Sequence, residues 1–134
     1  MSALVACGDA STPAEATADA RAMTWNAASE NELYRVTLAP RNGEVPIAAF
    51  HEWIIEVRDA DNAPVHPAQI AFDGAMPAHG HGLPTAPQVT DHLGEGRYRL
   101  EGVRFNMAGR WSLMVSVQAA AGLDRAQFEI ELAL

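Results

Sequence analysis

The segment Met76-Pro77-Ala78-His79-Gly80-His81-Gly82-Leu83-Pro84 holds two imidazoles and a thioether within six residues. Imidazole nitrogen and thioether sulfur together are the donor set that suits copper. Gly80 and Gly82 permit backbone turns that allow two bulky rings to face one point. In extended backbone, residues i and i+2 project to the same side, so His79 and His81 could meet one ion without distorting the chain. Met76 adds a soft donor and Pro77 stiffens the approach. The run from Asp73 to about Pro87 reads as a long Gly/Pro loop, a length that in compact domains is more often functional than idle. The expectation is a metal loop, most consistent with copper.

Two further residues could complete it. His51 opens an alternating apolar stripe with Trp53, Ile55 and Val57. It is either a core-edge histidine with one hydrogen bond or a rigid, strand-borne ligand. Met107, in the turn Asn106-Met107-Ala108-Gly109, is either core filler or an axial ligand. The three imidazoles would take Cu(II), and the thioethers of Met76 and Met107 would favour Cu(I). Zinc ranks lower by the Irving–Williams order. Met114 reads as packing, and His66 and His92 as solvent-facing.

No nucleophile elbow, P-loop or dinucleotide fingerprint is present. A blue-copper centre needs a thiolate, and the only cysteine, Cys7, lies outside the expected folded region. A zinc hydrolase would need a placed general base, and no Glu takes that position. The reading is a binding protein, not an enzyme. Nine basic against seventeen acidic residues give a net charge of −8, which argues against nucleic acid and against docking on anionic lipid.

The elements that must position these residues read at period 2. Strands are expected over Leu33–Leu38, Phe50–Arg58, Val65–Phe72, Gln88–His92, Arg97–Phe105, from Trp111 to about Gln118, and from Ala126 to Leu132. Six or seven short strands with turn signals between them predict an all-β, immunoglobulin-like antiparallel β-sandwich of about seven strands. The 134-residue length suits one such domain of about 100 residues plus an extension. The folded domain is expected over 23–134.

Residues 1–22 read differently. Leu4-Val5-Ala6-Cys7-Gly8 resembles a bacterial lipobox, in which the cysteine sulfur is acylated. Residues 8–22 carry no large apolar side chain and read as a flexible tether. Residues 1–22 are therefore expected to be a truncated lipoprotein signal and tether. The domain would then sit in the periplasm or cell envelope, in contact with the membrane only through its lipid.

Four segments occur in order: Phe50-His51-Glu52-Trp53; Asp59 followed by Ala63-Pro64-Val65, with Ala68 and Ile70; Met76 to Gly82; and Phe105-Asn106-Met107-Ala108-Gly109-Arg110-Trp111. This pattern resembles the YtkA-like domain, related to the FixH-type proteins, across about residues 33–120. The resemblance implies a small exported or membrane-tethered β-sandwich linked to copper binding or delivery. It carries Met76, His79 and His81 over to a copper site, with His51 and Met107 as further candidates. The expected partners are a metal ion and a copper-receiving envelope protein. The alternative is an envelope protein-interaction module with no metal.

Overall fold

The structure is a computed structural model that describes residues 23–133. Cys7 and the tether lie outside the described residues. Among the described residues nine strands follow in chain order: β1 (Trp25–Ala28), β2 (Tyr34–Pro40), β3 (His51–Asp59), β4 (Gln69–Met76), β5 (His81–Gly82), β6 (Gln88–Gly94), β7 (Arg97–Val103), β8 (Gly109–Ala119) and β9 (Gly122–Leu132). A 3-10 turn, Pro77–His79, lies between β4 and β5. The strands form an antiparallel five-stranded sheet, β1-β2-β3-β7-β6, and an antiparallel four-stranded sheet, β5-β4-β8-β9.

The sandwich is the expected architecture, with nine strands in place of about seven. The two additions are β1 and β5. Each is too short to show a period-2 pattern. β1 nonetheless sets its first residue, Trp25, against Trp53 with ring centroids 5.5 Å apart.

Alternation decides the layers. Val36 and Leu38 on β2, Trp53, Ile55 and Val57 on β3, and Tyr98 and Leu100 on β7 face inward. They meet Trp111, Leu113, Val115 and Val117 of β8 and Phe128 and Ile130 of β9. Each fully buried Leu, Ile or Val among them contributes roughly 1.5–3 kcal/mol of transfer free energy. That pairing of faces explains why one-residue slips in register are excluded: a slip would turn every one of these side chains to water.

Two expected boundaries move. The strand expected from Val65 begins at Gln69, because Pro64 and Pro67 supply no N–H to a ladder. The loop expected to start at Asp73 does not: Asp73, Gly74 and Ala75 continue the pairing with β8 as far as Ser112. Met76 therefore ends a strand instead of opening a loop.

A polar staple closes the β1–β2 turn against β9. Asp124 is buried, and its carboxylate accepts hydrogen bonds from the Ser29 hydroxyl at 2.6 Å and from the Asn31, Leu33 and Arg125 backbone N–H groups. Burial pushes this carboxyl up, but the hydrogen bonds from Ser29, Arg125, Leu33 and Asn31 outweigh it and lower it to about 2.

Candidate functional site

The antiparallel topology carries the start of β3, the end of β4, β5 and the β7–β8 connection to one end of the sandwich. His51, Met76, His79, His81 and Met107 all belong to these segments. Aromatic rings run between them. His81 lies 5.8 Å from Trp111, Trp111 lies 5.0 Å from Phe105, and Phe105 lies 5.8 Å from His51, centroid to centroid.

His79 ends the 3-10 turn, and Gly80 follows in the left-handed region at φ 68°. His81 then opens β5 opposite Met76. The His-x-His pair is thus not in the extended backbone that its spacing predicts. A turn and a left-handed glycine bring the rings together instead, with centroids 6.0 Å apart. A nitrogen–metal distance of ~2.0–2.1 Å places a ring centre about 3 Å from its ion, and the 6.0 Å between these two centroids is close to twice that length. Nδ1 of His81 lies 3.1 Å from the Gly82 carbonyl oxygen. A carbonyl only accepts, so Nδ1 carries the proton and Nε2 of the neutral ring keeps its lone pair. Metal-binding histidines typically donate their other ring N–H in this way.

His51 is engaged elsewhere. The Trp53 indole N–H donates to its Nε2 at 2.9 Å. Its own proton must then sit on Nδ1, which donates to the Ala49 carbonyl at 3.1 Å. Burial lowers the His51 pKa below 6.5, opposed in part by the Ala49 hydrogen bond. The ring is neutral, but its lone pair already holds a buried indole proton. Among the described residues no group of three His, Cys, Asp or Glu side chains is placed to hold a metal. The structure brings His79 to His81 and does not bring His51 to either.

The thioethers are also placed by packing. Met76 is 1% exposed, and its Cε lies 2.7 Å from where a Cβ on Gly109 would stand. Glycine at 109 is what lets this side chain pass. Met107 is half-buried, and its carbonyl accepts the Trp111 indole N–H at 3.1 Å. Both methionines pack on the hydrophobic core. A strand pattern extended from Ile70 and Phe72 to Gly74 and Met76 is the signal that would have put Met76 inside.

The other two histidines, expected to face solvent, form a pair at the opposite end. His66 and His92 stack with centroids 3.7 Å apart and planes 4° from parallel. Tyr98 donates to the Val65 carbonyl at 2.7 Å, so its oxygen accepts from His66 Nδ1 at 3.3 Å. His66 itself is exposed, whereas Nε2 of His92 is buried without a partner among the described residues. The 25 residues between the two rings hid this contact from sequence reading.

A family model described as YtkA-like matches residues 28–116. No curated protein and no solved structure matches the chain.

Proposed function

The chain belongs to the YtkA-like family, and from that premise we propose that it is a copper-binding domain of the cell envelope that holds or hands on its ion. The observation that carries this is the His79–His81 pair, exposed at His79 and half-buried at His81, with ring centroids 6.0 Å apart and His81 Nδ1 committed to the Gly82 carbonyl. Two neutral imidazoles suit copper above zinc at equilibrium. They leave coordination positions free for water or for donors of a receiving protein, which fits a carrier better than a permanent centre. Half-buried Met107 is the thioether this end of the fold leaves within reach for Cu(I), whereas Met76, expected as a ligand, is packed in the core at 1% exposure. His51 stands outside this ligand set, because binding metal would strip Trp53 of its acceptor.

Location belongs to the same proposal. Acylation at Cys7 would tether the domain outside the cytoplasm through residues 8–22, with a copper-receiving envelope protein as partner.

Titration of metal-free protein with Cu(II) and with Cu(I), beside a His79→Ala/His81→Ala variant, tests the reading. Copper should bind the native chain and raise its Tm by linkage, and the variant should lose both effects. Equal binding by the two proteins ends it. A native chain whose Tm ignores copper leaves the metal-free interaction module as the function.

A further inference from the structure

One strand of the four-stranded sheet has an outer edge that is only partly covered. β4 pairs with β8 from Gln69 to Ala75. On its other side, β5 reaches only Ala75 and Met76, and the Leu83 N–H donates to the Gly74 carbonyl at 3.1 Å. Along a strand, the N–H and C=O of a residue point to one side and those of its neighbour to the other. Gly74 faces β5, so Phe72 and Ile70 face the same way. Among the described residues no backbone partner takes up the N–H or C=O of either. Asp73 covers the Gly74 N–H with its own carboxylate at 2.8 Å. The edge is therefore blunted beside β5 and open beyond it.

The open stretch lines a groove of about 420 Å³. Ile70 to Asp73 form one wall and Thr85 to Gln88 the other. The second wall is fixed to the five-stranded sheet. Thr85 Oγ1 donates to the Gly102 carbonyl at 2.6 Å. Pro87 Cα lies 3.6 Å from where a Gly102 Cβ would stand. Pro87 has no N–H to offer β4, and β6, which starts at Gln88, pairs only with β7.

We propose that this groove binds an extended peptide segment of a partner protein by strand addition to β4. Extended backbone is the ligand whose donors and acceptors repeat at the two-residue spacing of Ile70 and Phe72. Open edges are ordinarily protected by lysine, proline or a bulge, and Gln69-Ile70-Ala71-Phe72 has none of these. A net charge of −8 and the exposed Asp73 at the groove favour a segment that carries lysine or arginine. The groove runs up to the Gly74–Leu83 contact that leads into β5, so a bound segment would lie along the strand that ends at the histidine loop. The inference stands without the copper reading, since no metal ligand enters it.

Amide exchange on the isotope-labelled full chain tests it. In the free chain, the Ile70 and Phe72 amides should exchange roughly a hundredfold faster than the Ala71 amide, which faces β8. The probe is a pool of capped pentapeptides Lys-X-Val-X-Lys, with X being Val, Ile, Thr or Tyr. At millimolar concentration it should slow both amides roughly tenfold or more. A pool N-methylated at alternate residues should not. Ala86→Trp, which fills the groove, should abolish the protection; if that variant fails to fold, the methylated pool alone decides. Slow exchange at both amides in the free chain, no protection by the pool, equal protection by the methylated pool, or a dimer in sedimentation that itself covers the edge would each overturn the proposal.

Discussion

Trp53 donates its indole N–H to His51 Nε2 at 2.9 Å, across the irregularity that shifts the β3–β7 register between these two residues. Trp53 is fully buried, so this is its one route to a hydrogen bond in the core. His51→Phe keeps an aromatic ring but removes the acceptor. An orphaned buried N–H costs about 1–3 kcal/mol, and denaturant unfolding should show a loss of that size. Copper affinity should stay within about twofold of the native chain. A large affinity loss without a stability loss would return His51 to the ligand set.

The same ring makes stability depend on pH. Its pKa is lowered in the folded chain, by burial first. Between that lowered value and 6.5 the unfolded chain binds the proton and the folded chain does not. Stability therefore falls as pH drops below 6.5 and stops falling once the folded-state value is passed. Melting curves from pH 7.5 downward should show a decline that His51→Phe reduces.

Asp124 acts in the opposite window. Its carboxyl titrates at about 2 when folded, against 3.8. Its contribution is whole above 3.8 and fades as pH falls towards 2. Asp124→Asn should lower Tm more than the same change at exposed Asp61, because five hydrogen-bond donors from Ser29, Asn31, Leu33 and Arg125 converge on it.

Gly109 and Met76 form a coupled pair. A Cβ at 109 would stand 2.7 Å from Met76 Cε, at a φ of 128° that L residues rarely adopt. Gly109→Ala should cost about 1–3 kcal/mol from overpacking, with backbone strain added. Met76→Ala leaves a cavity and should cost about 2–5 kcal/mol. The double variant should be more stable than the sum predicts, since each change relieves the other. Strict additivity in unfolding free energies would refute the contact.

Cu(II) bound at His81 would lie close to Trp111, whose ring centroid is 5.8 Å from that of His81. Tryptophan fluorescence should fall in proportion to copper added and level off at one equivalent. Zn(II) should leave the emission nearly unchanged. His81→Ala should abolish the copper effect, and an undiminished effect in that variant would place the ion elsewhere.

The sandwich was legible because its central strands alternate over many residues. Trp53-Ile54-Ile55-Glu56-Val57 and Trp111 through Val117 admit one inward face whatever they pack against. The imidazole pair was legible because its two rings are neighbours in the chain, so local backbone sufficed to bring them near. The rest depended on distant partners. Whether Met76 joins the loop or the core turned on the β8 strand and on Gly109, some thirty residues away. Whether His51 offers a lone pair turned on how the β3–β7 irregularity aims Trp53. The stacking of His66 on His92 turned on β6 and the β3–β4 connection meeting at the far end. Periodicity reports which side of a strand is dry, but a side chain's lone pair is free or taken according to the neighbour that folding delivers, and that neighbour is set by sheet pairing across the whole chain.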